Sequence, residues 1–142
     1  MRGVALVTGI ILIVLAVSIA VIPQFTTCGS QGKTITTSTG AVIPMKCTWT
    51  GQAELALSLT LFAVGVLLLI SRRKESIRNL SFMAIILGAL VILLPTNLIG
   101  VCGTPGMICN AVMMPAMIFT GTLTIFTGIA VLIISIRTKE PG

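Results

Sequence analysis

The sequence predicts an all-α membrane protein: a bundle of four transmembrane helices made of two parallel-repeat hairpins, with a small β-hairpin in the first outer loop. Three observations carry this. Of 142 residues, 56% are hydrophobic and 8% charged, whereas ordinary globular chains run near 25% charged. So few polar groups cannot cover a soluble core, and lipid must serve as solvent for much of the chain. Four apolar runs, at about residues 4–23, 53–70, 80–100 and 112–136, are long enough to span; even 18 residues reach about 27 Å. Finally, a Cys-Gly pair followed by Met-x-Cys occurs twice in the same order, each time just before a long apolar run. The chain is short enough to form a single domain.

The first run follows Met1-Arg2 and ends near Ser18-Ile19-Ala20, which resembles a secretory signal. Its apolar core is longer than a signal core, so it is read as a retained helix. Ala5/Gly9 and Ala16/Ala20 place small residues four apart, where a neighbouring helix can approach closely. Pro23 is expected to close the helix.

Residues 24–52 form the longest polar segment. Residues 33–43 combine β-branched residues with a Ser/Thr/Gly break, the pattern of a small β-hairpin. A lone hairpin is marginal in water. A Cys28–Cys47 bridge across its base would close about 20 residues and contribute roughly 3 kcal/mol. Trp49 falls at headgroup level, and Glu54 is expected in the first turn of helix two, near the positive end of its dipole and paired with Lys46; the alternative is an intramembrane carboxylate that marks an ion path.

The turn at residues 71–79 is short, so helices two and three are antiparallel neighbours. Ala84/Gly88 is another small pair, and Pro95 is expected to kink or end helix three. The second outer loop, residues 101–111, holds Cys102 and Cys109 around the turn sequence Thr104-Pro105-Gly106. Helix four opens with Met113-Met114-Pro115-Ala116-Met117, with Pro115 in its first turn. Leu57-Ser58-Leu59-Thr60-Leu61-Phe62 aligns with Gly121-Thr122-Leu123-Thr124-Ile125-Phe126, which supports a duplicated hairpin whose copies are related by an axis along the membrane normal.

Arg2, Arg72, Arg73, Lys74, Arg78, Arg137 and Lys139 fall on one side, and Lys33 and Lys46 on the other. By the positive-inside rule both termini are cytoplasmic and the cysteine loops extracytoplasmic. The net charge of +6 is a topology signal against anionic headgroups rather than a nucleic-acid footprint.

All four cysteines then lie where disulfides persist. Of the three pairings open to them, Cys28–Cys47 with Cys102–Cys109 ties each outer loop to itself. A functional alternative is thiol–disulfide chemistry, although no Cys-x-x-Cys pair is present to activate a thiolate. Met45, Met107, Met113, Met114 and Met117, with Cys47 and Cys109, also cluster soft donors suited to Cu(I), although methionine is equally a filler of apolar packing. The chain has no histidine, hence no common general base, and no helix is expected to carry a charged residue facing the bundle interior. An enzyme and an ion-coupled transporter are not expected, and no cofactor or resident metal is assigned.

Met45-Lys46-Cys47-Thr48-Trp49-Thr50-Gly51-Gln52-Ala53-Glu54, with Cys102-Gly103 and the Met-rich start of helix four, resembles the bacterial tetraspan family called domain of unknown function 4418. The resemblance covers nearly the whole chain, and its most specific part is Cys-x-Trp-Thr-x-x-Ala-Glu. Members of that family often carry His directly after the second and fourth cysteines, where Thr48 and Asn110 stand here. The resemblance implies a polytopic membrane protein without assigned activity, sometimes encoded beside ATP-binding-cassette exporters. The expected role is a non-enzymatic accessory or structural subunit, with stapled outer loops contacting such an exporter or other copies of itself. Trp49, Glu54 and the methionines are the candidate contacts. The alternative is an outward-facing soft-metal (copper) or thiol-redox protein.

Overall fold

The structure, a computed structural model, describes residues 2–104 and 106–137, without the side chains of Arg2 and Gln31. Pro105 of the expected turn and Lys139 of the charge count lie outside the described residues. Four long helices make the bundle: α1 (Arg2–Thr26), α2 (Lys46–Ile70), α3 (Lys74–Leu93) and α4 (Met114–Arg137). Four stretches, Gly3–Thr26, Lys46–Ile70, Lys74–Leu98 and Cys109–Arg137, are long and apolar enough to cross a membrane. Large apolar side chains such as Val7, Leu59, Phe119, Phe126 and Ile136 point outward, as lipid-facing surfaces require.

Strands β1 (Ile35–Thr36) and β2 (Val42–Ile43) pair antiparallel, Ile35 opposite Ile43. Their turn closes through Gly40 N–H to Thr37 O at 2.8 Å, with Gly40 at φ 78°, a region open to glycine.

Pro23 lies inside α1 rather than at its end, and the helix continues to Thr26. Both central hairpin helices begin earlier than their apolar runs. Helix α2 starts seven residues before residue 53, because Cys47, Thr50, Gly51 and Glu54 follow helical spacing and form its buried face. Mean hydropathy cannot register such an amphipathic turn. Helix α3 starts at Lys74, leaving only Ser71, Arg72 and Arg73 between the helices.

Helix α3 gives way to a π-helical turn at Leu94–Leu98, where Pro95 supplies no backbone N–H. A second π-helical turn, Cys109–Met113, precedes α4 and ends two residues before Pro115.

Helix α1 packs most extensively on α2, and α3 on α4; α1 also meets α4, and α2 meets α3. Helices α2 and α4 therefore hold diagonal corners. One contact recurs in both hairpins. A Cβ at Gly65 would lie 3.2 Å from Gly9 O and 2.9 Å from Ile13 Cγ1; one at Gly128 would lie 3.1 Å from Ser81 O and 2.7 Å from Ile85 Cγ1. Cys47 and Cys109 stand 62 positions apart, whereas Gly65 and Gly128 stand 63 apart. The π-helical turn between them absorbs the extra residue. On these contacts Ser58 matches Gly121, one residue off the sequence alignment, which set Leu57 against Gly121. Apolar residues exchange so freely that a one-step slip leaves the pattern intact.

Candidate thiol chamber

Four segments deliver the cysteines to one place. Cys28 follows α1, in a turn closed by Lys33 N–H to Cys28 O at 3.0 Å. Cys47 lies in the first turn of α2. Cys102 follows Gly100, whose φ of 80° turns the chain after α3, and Cys109 opens the π-helical turn before α4.

All four Sγ atoms lie within 4.8 Å of one another. Cys28 Sγ is 2.7 Å from Cys109 Sγ and 3.8 Å from Cys102 Sγ, and Cys102 Sγ is 3.6 Å from Cys47 Sγ. Cys28 N–H points at Cys47 Sγ over 3.4 Å, and Met45 Sδ lies 3.9 Å from Cys102 Sγ. Cys28, Cys47 and Cys109 are buried, and Cys102 is partly exposed.

This corrects the expected bridges. Cys28–Cys47 and Cys102–Cys109 are not joined; all four thiols are unbridged, and the shortest separations run between loops. The reason is the bundle. Pairing of α1 with α4 and of α2 with α3 carries each loop's cysteines toward the other loop's, and sequence distance says nothing about that.

Burial pushes the Cys28 thiol up from its ordinary value, and hydrogen bonds with Cys109, Cys47 and Cys102 act in the same direction. A lone thiolate there is disfavoured, and a cation bound by the sulfurs would replace their protons.

A tetrahedral ion with sulfur ligands at about 2.3 Å spaces those sulfurs roughly 3.8 Å apart. The Cys28–Cys102 and Cys47–Cys102 separations already match, whereas Cys28–Cys109 would have to open by about 1 Å. The donor set is all sulfur, which selects thiophilic ions.

Small residues let the chamber close. A Cβ at Gly29 would lie 3.0 Å from Thr48 Oγ1, and one at Gly51 2.9 Å from Thr27 Cγ2. Thr50 Oγ1 donates to Gly100 O at 2.8 Å, tying α2 to the segment that leads into Cys102.

The remaining candidates divide. Met45 and Met107 are partly buried beside the core that contains the cysteines. Met113 and Met117 are wholly buried on α4, whereas Met114, next to them in sequence, is only partly buried. Trp49 is 57% exposed. Glu54 departs furthest from expectation. It lies two turns inside α2, is 0% exposed, and neither carboxyl oxygen has a hydrogen-bond partner among the described residues. Lys46 is exposed on the surface. The sequence signal for this burial was the spacing Cys47, Thr50, Gly51, Glu54, visible only once α2 is known to begin at Lys46. Thr48 Oγ1 is likewise buried without a hydrogen-bond partner among the described residues.

A family model described as Domain of unknown function (DUF4418) matches residues 5–134, a span that includes all four cysteines. No curated protein and no solved structure matches the chain.

Proposed function

This chain belongs to the family described as Domain of unknown function (DUF4418), which assigns no activity, and we propose that it is a non-enzymatic multi-pass membrane protein whose outer chamber of four thiols binds a thiophilic cation of the Cu(I) class. The observation that carries the reading is the convergence of four cysteine sulfurs, from two loops and two helix starts, to within 4.8 Å of one another. Burial strengthens the case, because three of the thiols have no solvent to ionise into, and a cation is the group that satisfies four sulfurs at once. Met45 Sδ beside Cys102 adds a thioether of the same chemical softness.

In this reading the bundle is a duplicated hairpin, supported by the recurring Gly65/Ile13 and Gly128/Ile85 contacts. Arg72, Arg73, Lys74 and Arg78 mark the opposite end of the bundle as cytoplasmic, which puts the chamber outside.

The test is Cu(I) titration of the reduced, anaerobically purified protein against a chelator of known affinity, followed by alkylation and mass measurement. Uptake of Cu(I) with protection of all four thiols supports the reading. Four rapidly alkylated thiols in the presence of Cu(I) reject it.

A second reading, an accessory subunit docking on an ATP-binding-cassette exporter or on another copy of itself, is favoured by the outer face. The residues of both strands are exposed, and so is Trp49, an aromatic anchor of the kind found at interfaces. Crosslinking in native membranes that recovers only single chains removes this reading and leaves the chamber untouched.

A further inference from the structure

A carboxyl group buried in a membrane helix without a partner is costly enough to mark a functional position. Glu54 is such a group, with 0% exposure and both oxygens unpartnered among the described residues. Its surroundings can be placed by counting. Seven residues separate it from Cys47 on the same buried face of α2, which sets it two turns, about 10 Å, below the thiols. Helix α4 holds the diagonal corner of the bundle. Gly65 on α2 and Gly128 on α4 make the same contact with their hairpin partners. Cys47 and Cys109 share the chamber, and Glu54 and Met117 follow them by seven and eight residues, the π-helical turn at Cys109–Met113 taking up the extra one. The two therefore stand at about equal depth, as counting back 11 residues from Gly65 and Gly128 also gives. Both are wholly buried, as is Met113 one turn closer to the chamber.

We infer that Glu54, with the thioethers of Met113 and Met117, forms a second, interior station for a monovalent thiophilic cation, two helical turns below the thiol chamber. The inference rests on the chamber reading for the identity of the ion. Its charge follows from the medium. Among the described residues between Cys47 and Ile70, Glu54 is the one charged type, so an ionised carboxylate and a +1 cation cancel, whereas a divalent ion would leave uncompensated charge in low dielectric. Two thioethers and one carboxylate suit Cu(I) and not Na⁺ or Ca²⁺, which take oxygen ligands.

The experiment counts Cu(I) ions per chain by native mass spectrometry in detergent, anaerobically. A variant with all four cysteines changed to Ser removes the chamber and is expected to keep one Cu(I), held by sulfur and oxygen in X-ray absorption. Adding Glu54→Gln, or Met113→Leu with Met117→Leu, to that background is expected to abolish the remaining ion. The Met→Leu changes conserve volume and keep the fold testable, as judged by an unchanged elution volume and helical circular dichroism. A folded cysteine-free variant without Cu(I), or one whose Cu(I) survives Glu54→Gln, overturns the interior station. Failure of the chamber is read separately. With the four cysteines intact, Glu54→Gln must still bind Cu(I); if it does not, the chamber reading falls.

Discussion

Cys28 Sγ and Cys109 Sγ lie 2.7 Å apart, although Cys28 follows α1 in the first helical hairpin and Cys109 opens the π-helical turn before α4 in the second. The matching pair, Cys102 and Cys47, lies 3.6 Å apart. Each close pair therefore joins one loop to the other. Mild oxidation of the apo protein should follow this geometry. Peptide mapping is expected to recover Cys28 linked to Cys109 and Cys47 linked to Cys102. Recovery of Cys28–Cys47 with Cys102–Cys109 would mean that each loop closes on itself, against these separations.

Removing one chamber thiol should weaken metal binding more than loss of an outer-shell partner does, which costs roughly 10–100-fold. Cys109→Ser, at a wholly buried position, is expected to exceed that in Cu(I) competition. Met107→Leu, at a partly buried methionine, should change affinity by less. Equal effects would place the donors elsewhere.

The Cys28 thiol holds its proton more tightly in the folded chain than an ordinary thiol, which titrates at 9.0, owing first to burial and then to its cysteine neighbours. The unfolded chain releases that proton as pH rises past 9.0, and the folded chain keeps it. Folding is thus increasingly opposed with rising pH in this range, and the stability contributed by the protonated thiol, fully present below 9.0, is lost above it. Thermal unfolding of the apo protein in detergent is expected to show falling Tm above pH 9, with Cys28→Ala flattening the profile. A profile of the same slope in Cys28→Ala would assign the effect to another group.

How much of this was legible depended on what each feature answers to. The four spans were readable because hydropathy is a local property that survives any tertiary arrangement. The hairpin at Ile35–Ile43 was readable because β-branched runs around a Ser/Thr/Gly break have few alternatives. The start of α2 was not, since Lys46, Thr48, Thr50 and Gln52 look like loop until their spacing is read as one buried face and one wet one. That misplacement also hid Glu54, whose burial follows from the helix beginning seven residues sooner. The convergence of four sulfurs lay beyond sequence reasoning for a different reason. Cys28–Cys47 and Cys102–Cys109 are the short separations along the chain, but the packing of α1 on α4 decides which sulfurs meet.

The close approach of the paired helices should be intolerant of a single methyl group. Gly65→Ala sets a Cβ 3.2 Å from Gly9 O, and Gly128→Ala sets one 3.1 Å from Ser81 O. Backbone cannot move aside as a side-chain tip can. Overpacking of about 1–3 kcal/mol is then offset in part by the roughly 1 kcal/mol that Ala gains over Gly in a helix. Both variants are expected to lower Tm, and by similar amounts because the contacts correspond. Gly3→Ala, whose Cβ would meet nothing within 4 Å, should not. Unequal losses at Gly65 and Gly128 would count against the duplicated hairpin.

Thr50 links the helix that carries Cys47 to the loop that carries Cys102, through its hydroxyl on Gly100 O at 2.8 Å. Thr50→Val keeps the side-chain shape and removes the donor. The stability lost should be near 1 kcal/mol, the net worth of one hydrogen bond. The more telling effect is on Cys102, the one chamber thiol already partly exposed. With its loop released from α2, Cys102 is expected to be alkylated faster while Cys47 and Cys109 stay protected. Thr122→Val is the control, because the Thr122 hydroxyl bonds Ile118 O of its own helix at 2.6 Å and touches no outer loop. Faster alkylation of all four thiols in Thr50→Val would show that the bond holds the whole chamber closed rather than its Cys102 side; no change would show that the chamber is held by helix packing alone.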